Sequence, residues 1–376
     1  MSASIGPSLD RRAALARLGA LALATGTAVA CGGVERTDLT GLPGTAADDP
    51  GATDDPLVGA LGYAALASSA HNSQPWRVRR EGTDRITLFG DPTRRLPAVD
   101  PTDREFTLSL GAFLENLAQA SEAIGLDATI TTVTDGDAVA TVQFASRAPG
   151  SNAPAVLDAI RRRRIVRSGH RDTPLSAEHA RVLVSTAGRA EWFVRGARED
   201  TLLRDGTIEA NRLQAARDDA QRELSEWIRF KDDDAHAKRD GLTPASMEIT
   251  GVAGWWVRAR YTAATVMTPA FRERGLATAT EQAKAGGGWL VLTSDGGSRE
   301  ALLDAGRRYQ RLLLTLRAIG VAAHPMTQML EEPETRAGLE GSLGVDGTLQ
   351  FLLRVGYVDR YPEPVSVRRP VAWFME

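Results

Sequence analysis

Cysteine is almost absent from this chain: Cys31 is the only one among 376 residues. No intrachain disulfide can form, and no cysteine-based metal centre. Histidine is scarce as well, five residues with no paired ligand spacing, which argues against a metal site. His71 therefore reads as a packing or hydrogen-bonding residue. Neither sign of charge dominates, since the net charge is −3, so no global field draws the chain to nucleic acid or to an anionic membrane. There is no Gly-rich dinucleotide fingerprint and no Walker-type loop. No Ser/His/Asp arrangement is legible, although residue order alone does not exclude one. Long hydrophobic runs are missing too. The longest apolar stretch past the N-terminus, Gly251 to Met267, is interrupted by Arg258 and Arg260.

What is present begins at the N-terminus. Arg11-Arg12 precede a mildly apolar run from Leu18 to Ala30, too short for an ordinary span. A twin arginine before a weak apolar region points to export of a folded protein, with residues 1–31 as the signal. Ala28-Val29-Ala30 has the small-residue pattern of a cleavage site, and Cys31 follows at once, as in a lipoprotein box. Ala28 stands where such boxes usually have Leu, so a plain cleavable signal is the alternative. Residues 32–55 are rich in Gly, Asp, Thr and Pro and read as a flexible tether. The expected location is extracytoplasmic: periplasmic, or anchored to the membrane by a lipid on Cys31.

The rest of the chain contains itself twice. Residues 100–127 laid on 295–322 match without gaps at Asp100/Asp295, Arg104/Arg299, Glu105/Glu300, Leu108/Leu303, Gly111/Gly306, Leu117/Leu312, Ala123/Ala318, Ile124/Ile319 and Gly125/Gly320. Unrelated segments of ordinary composition would share roughly two positions. Each copy reads as one long helix ending near its Ala-Ile-Gly, with Leu302, Leu303, Gly306, Tyr309, Leu312, Leu313 and Leu316 at helical spacing in the second. A glycine kept inside both helices suggests close approach of a backbone or a ligand, or a small residue retained in tight packing. The first copy spans residues 56–150 and the second 151–376. Helices over 57–68 and 176–187, a long polar helix over 199–230, and short strands near 76–80, 85–89, 128–133, 138–145, 191–195, 287–293 and 349–357 predict an α+β layered fold.

Two segments invite a ligand. In the turn Asn72-Ser73-Gln74-Pro75-Trp76, the amides of Asn72 and Gln74 can hold the polar edge of a flat heteroaromatic. Pro75 stiffens the turn and Trp76 anchors it. The bland alternative is a buried polar turn with no ligand. The second segment is Arg161-Arg162-Arg163-Arg164-Ile165-Val166-Arg167, whose guanidinium forks suit a phosphate. A solvated basic face is the alternative, while the absence of interleaved aromatics argues against nucleic acid. Arg368-Arg369 form a further basic pair near the C-terminus. The first copy has the amide turn without the arginines, and the second has the arginines without the turn.

The stretch Ser68-Ser69-Ala70-His71-Asn72-Ser73-Gln74-Pro75-Trp76-Arg77 resembles the flavin-contacting turn of the nitroreductase family. Its His-Asn-Ser-Gln-Pro-Trp form, with a long C-terminal extension, resembles most the fused, Acg-type branch. The resemblance implies a nitroreductase-like fold in which two fused repeats make a single-chain, monomeric pseudo-dimer. It implies one FMN site, with Ser69, Asn72 and Gln74 from the first copy and Arg163 and Arg167 from the second. Arg368 or Arg369 would reach the phosphate. Ile165 departs from the pattern, which usually has Ser or Thr there. The implied chemistry lies on flavin N5 and needs no catalytic side chain. Electrons would pass from NAD(P)H or another small donor to a nitro-aromatic, quinone or similar small acceptor. A non-catalytic flavin-binding or sequestering protein is the other expectation, with the charge-rich stretch Leu203 to Thr250 as a covering segment.

Overall fold

The computed structural model describes residues 53–376. The signal, Cys31 and most of the tether therefore lie outside the described residues. The first half opens with helix α1 (Pro56–Ala64), whose start is set by Pro56 at the first position and by the Asp55 carboxylate, which accepts from the Leu57 and Val58 amides. Strands β1 (Trp76–Glu81) and β2 (Arg85–Gly90) form a hairpin. Helix α2 (Arg104–Ile124) follows, ended by Gly125 at φ 92°, then β3 (Leu126–Thr132) and β4 (Ala138–Ser146). All pairings are antiparallel, in the order β1-β2-β4-β3.

The second half starts with α3 (Ala153–Arg162), α4 (Ala177–Ala187) and β5 (Ala190–Val194). A helical excursion then leaves the sheet: α5 (Arg198–Ala216), α6 (Asp218–Trp227), α7 (Asp232–Lys238), α8 (Gly251–Arg260), α9 (Ala263–Val266) and α10 (Pro269–Lys284). The chain returns as β6 (Gly288–Ser294), α11 (Arg299–Ala318), β7 (Val321–Pro325), α12 (Gln328–Glu331), α13 (Pro333–Ser342) and β8 (Thr348–Tyr357). Its sheet is again antiparallel, in the order β5-β6-β8-β7. The two sheets share more than strand order: each has a register shift at the matching place, Leu88/Phe89 in one and Leu292/Thr293 in the other.

The halves meet through α2 and α11. A Cβ on Gly111 would lie 2.2 Å from the Leu303 carbonyl oxygen, and one on Gly306 would lie 2.1 Å from that of Leu108. Leu108 and Leu303 are themselves a matched pair of the repeat, so each helix offers its glycine to the same point on the other. These glycines sit in tight helix packing, each against the backbone of the other helix. Around the crossing, Asn116 Oδ1 accepts from Gln310 Nε2 at 2.9 Å, and Glu115 takes both Arg307 and Arg311.

The sheets differ in how they are covered. The outer strand β3 alternates between half-buried and exposed residues, as expected of a sheet with one wet face. Strands β6 and β8 are buried on both faces. Leu290, Leu292 and Leu353 pack on α4 and α11, whereas Trp289, Val291 and Leu352 pack on Leu203, Ala283 and Met329 of the excursion and α12. The expected polar helix over 199–230 is two helices, broken at Arg217 (φ −81°, ψ 120°). The Arg217 guanidinium donates to the Ala98 carbonyl and pairs with Glu332 at 3.5 Å, contacts that lie far away in sequence. Strand β7 and helix α10 are absent from the sequence-based scheme. The C-terminus crosses back to the first half, where the Val78 amide donates to the Phe374 carbonyl and Glu376 to that of Val78.

Gly306→Ala tests the crossing. Helix propensity alone would stabilise this change by about 1 kcal/mol. We expect a net loss of about 1–3 kcal/mol from overpacking, read by thermal or urea unfolding, and a raised melting temperature would refute the contact.

Candidate functional site

The amide turn is held in a strained shape. His71, Asn72 and Gln74 have φ of 50°, 53° and 54°, a left-handed backbone that non-glycine residues seldom adopt. Pro75 disfavours the right-handed helical region for Gln74. Trp76 is fully buried, with its ring 5.1 Å from that of Phe113, and pins the exit of the turn. Ser69 Oγ accepts from the Gln74 amide at 3.1 Å.

Both side-chain amides are occupied by protein. Asn72 Nδ2 donates to the carbonyls of Gly241 and Val367 at 3.0 and 3.1 Å, while its Oδ1 accepts from Arg368 Nη1 at 2.9 Å. Gln74 Nε2 donates to the Arg239 carbonyl at 2.8 Å, and its Oε1 accepts from the Arg369 amide at 2.8 Å. Arg369 in turn donates to the carbonyls of Gln74 and Trp76 and lies over Phe374. Neither Gln74 nor Arg369 lines the two chambers described below. Their hydrogen bonds fasten the C-terminal segment to the turn.

The arginine run divides by direction as α3 ends. Arg162 points outward to Glu363, and Arg164 pairs with Glu248. Arg163 turns inward, 7% exposed, and donates to the Leu66 carbonyl at 2.6 Å. Arg368, 6% exposed, donates to the carbonyls of Val367, Ala67 and Leu66 at 2.8, 3.3 and 3.5 Å. Neither guanidinium has a carboxylate partner among the described residues, and each keeps its Nε without a hydrogen-bond partner. Burial pushes Arg163 below the usual arginine range. Burial, followed by the neighbouring Arg163, pushes Arg368 down to about 9.

Two adjoining chambers open here. The smaller, about 100 Å³, is lined by Leu66, Asn72, Arg163, Arg164, Ser366 and Arg368, with Arg161 also at its wall. The larger, about 340 Å³, lies between Leu108 and Ala112 of α2, Tyr309 of α11, Phe351 of β8 and the excursion residues Gln214, Gln221 and Leu224. Ser68, Ser69, His71, Ile165, Arg167 and Leu242 belong to both walls. First-half turn and second-half arginines thus face one space. Tyr309 and Phe351 stack with centroids 4.0 Å apart, giving the larger chamber an aromatic side.

Arg167 marks the join. Its Nη1 lies 3.2 Å from His324 Nε2, and the other ring nitrogen of His324 lies 3.3 Å from Arg354 Nη2. Burial first, then Arg167 and Arg354, holds the His324 imidazole well below the usual histidine range, so it is neutral at physiological pH. Burial likewise pushes His71 down to about 4. At the far end of the larger chamber sits acid. The Thr327 hydroxyl lies within hydrogen-bond reach of both Glu105 and Glu331, at 3.1 and 3.4 Å, and Glu331 also accepts from Gln214 at 2.6 Å. Burial, with Glu105 beside it, pushes Glu331 up to about 8. The buried Arg163 and Arg368 thus lie at one end of the paired chambers and the Glu105–Glu331 carboxyl cluster at the other.

Sequence reasoning did not single out Glu105, Glu331, His324 or Tyr309 as site residues. Glu105 and Tyr309 lay inside the repeat helices, Glu105 as a matched position of the repeat and Tyr309 as part of the helical spacing. His324 lies on the unforeseen strand β7.

The chain is similar to several known proteins. No family profile matches it. It is 28% identical over 324 residues, 84% of this chain and 90% of the other, to a Mycobacterium tuberculosis protein provisionally named an NAD(P)H nitroreductase. It is 28% identical over 342 residues to acg of the same organism, also provisionally named so, covering 85% of this chain and 95% of that one. It is 25% identical over 319 residues to PigM of Serratia sp., covering 80% and 88%. Among solved structures, a nitroreductase-like family protein from Bacillus cereus aligns at a TM-score of 0.34 with 15% identity, covering 62% of this chain and 98% of that one. The FMN-dependent nitroreductase NfnB from Mycobacterium smegmatis aligns at 0.33 with 18% identity, covering 56% and 95%.

The raised Glu331 makes a pH prediction. Folded, this carboxyl holds a proton that the unfolded chain releases near 4.5, so its contribution is present below that value and is lost as pH rises toward about 8. Glu105, Asp100 and Arg104 are the charged groups that bias it. Glu331→Gln should flatten the fall in stability across that window in urea unfolding at a series of pH values; an unchanged slope would sink the assignment.

Proposed function

We propose, on the premise that the chain belongs to the nitroreductase family, that it is an FMN-dependent oxidoreductase with one flavin site built between its two halves. One observation carries this reading. Arg163 and Arg368 are buried beside each other, with no carboxylate partner among the described residues and with free Nε atoms. Two like charges kept out of water destabilise a fold unless an anion compensates them. A phosphate of the right size for the smaller chamber would take their forks, and the ring system attached to it would extend into the larger chamber. That larger chamber falls within the range of about 300–1,000 Å³ usual for small-ligand sites.

Each protein group then has a task. Arg163 and Arg368 hold the phosphate. Asn72 acts through Arg368, which it orients at 2.9 Å. Arg167, which lines both chambers and is held by the neutral His324, would supply positive charge to a bound flavin. The bound flavin supplies hydride chemistry at its N5. Glu331 keeps a proton at neutral pH at the far end, where a small acceptor such as a nitro-aromatic or quinone would need one. Leu224 and Leu242 of the excursion exclude water from the same space. NAD(P)H, named for the relatives, is the donor in this reading.

The single site also has a plain origin as a fused dimer in which residues 56–150 keep the turn and 151–376 keep the arginines. Shared strand order, shared bulge position and the reciprocal glycine contacts support that history. Export by the twin-arginine signal, with lipid attachment at Cys31, belongs to the same proposal and places the enzyme outside the cytoplasm. A second reading is favoured by Gln214, Gln221 and Leu224, which line the larger chamber from the excursion: the protein binds flavin and shields it from a donor.

Purified protein decides between these. Yellow protein bleached by NADPH under anaerobic conditions supports the enzyme. Yellow protein inert to NAD(P)H supports shielding, and colourless protein that rejects added FMN refutes both. Arg163→Met should weaken FMN binding about tenfold or more, as expected for a lost charged hydrogen bond. The ligand-free variant should unfold no more easily than the parent, because an uncompensated buried charge is gone. Retained affinity, or a large drop in apo stability, would make Arg163 a framework residue instead.

A further inference from the structure

Helix α8 carries its hydrophobic face outward. Val252, Trp255, Trp256 and Ala259 fall within about a third of the helix circumference. All four are exposed, Val252 by 73%, Trp255 by 56% and Trp256 by 48%. The opposite face is already satisfied: Val257 is buried in a small satellite core with Ile228, Phe230 and Val266, and Gly254 lies against the Ile249 carbonyl. A surface helix ordinarily presents its polar side to water. Here the turn that faces water holds the apolar pair of indoles, and the exposed Ala263 and Ala264 of the next helix follow it. Adjacent exposed aromatics of this size mark an interaction surface.

The chemistry around the patch is specific. Cations collect at the C-terminal end of α8. The Arg260 guanidinium lies 5.2 Å from the Trp256 ring centroid, and Arg274 lies 3.3 Å from the Tyr261 hydroxyl. Lys231 donates to the carbonyls of Arg258 and Ala259. The near carboxylate is Asp232, 3.8 Å from Arg258, at the head of the aspartate run that opens α7. No charged side chain interrupts the outward face from Val252 to Trp256.

We propose that this face of α8 seats in the interfacial layer of a phospholipid bilayer. Indoles favour the headgroup depth, where the ring is apolar-solvated and its N–H stays hydrogen-bonded, and arginines at the rim meet lipid phosphates. With a net charge of −3 no long-range attraction assists, so the indoles supply the affinity. A helix of ten residues binds weakly by itself. The sequence reading of a lipid on Cys31 followed by a tether over residues 32–55 supplies the second attachment, within a reach of roughly 80 Å for an extended tether. Two weak attachments on one chain reinforce each other through effective concentration. The proposal is independent of whether the flavin turns over.

The test uses the full chain with Cys31→Ser, which cannot be acylated, against the same chain also carrying Trp255→Ser and Trp256→Ser. Both are sedimented with phosphatidylcholine vesicles and with vesicles in which part of that lipid is replaced by phosphatidylglycerol. We expect the parent to partition about tenfold or more better than the double variant, with a blue shift of its tryptophan emission on binding. Equal melting temperatures show that the variant is folded. A gain on adding phosphatidylglycerol that Arg260→Gln removes supports the arginine rim. Equal partitioning of parent and double variant overturns the proposal. So does a parent that ignores vesicles and instead forms a concentration-dependent dimer abolished by the two serines.

Discussion

Two glycines one helix turn beyond two leucines set the geometry of this molecule. Gly111 rests on the Leu303 backbone and Gly306 on that of Leu108, so α2 and α11 approach more closely than any side chain with a Cβ would allow. Everything that lies across the seam inherits its position from that contact. Glu115 can take two arginines of the other helix, and Asn116 can meet Gln310, because the helices are already in register. The same closeness brings Leu108 and Ala112 of the first half alongside Tyr309 and Phe351 of the second, and the larger chamber is the space left between them.

The site beside the seam departs from what a stable fold would choose, in three ways. Three left-handed non-glycine residues occupy one short turn, two guanidiniums are buried without a carboxylate partner among the described residues, and an imidazole is squeezed between two further arginines. Each is a local loss that the surrounding structure overrules, and such losses gather where a ligand is bound. The tail that threads past them is fastened hard. Arg369 donates two hydrogen bonds to Gln74, and the last residues pair with β1. That fastening fixes Arg368 opposite Arg163. Adjacent arginines thus point differently: Arg368 lines the smaller chamber, while Arg369 donates to the backbone of the turn.

Much of this was legible beforehand, for physical reasons. The repeat was visible because helix packing at close range tolerates few substitutions, so Gly111, Leu108 and their counterparts stood out. The α+β layering and most strands followed from periodicity, and the pairing of turn with arginine run followed from their complementary absence. Other features were out of reach. Nothing in the neighbourhood of Gln74 and Asn72 says that Arg239, Gly241 and Val367 will supply carbonyls to their amides and that the Arg369 amide will supply a donor. The break at Arg217 depends on Ala98 and Glu332. Strand β7 is short, and its apolar residues are followed at once by His324 and Pro325, which weaken a strand reading. The acid end of the chamber joins α2 to α12, more than two hundred residues apart, and no local pattern announces it.

The central claim is that the Arg163–Arg368 pair is an anion site that holds a flavin by its phosphate. Comparing FMN with riboflavin by equilibrium titration of the apoprotein measures that contribution alone, because the two ligands differ only in the phosphate. The account predicts that FMN binds tighter by about a hundredfold or more, the scale of two charge-assisted hydrogen bonds, and that added salt narrows the gap little because the pair is buried. Equal affinity for FMN and riboflavin would contradict it.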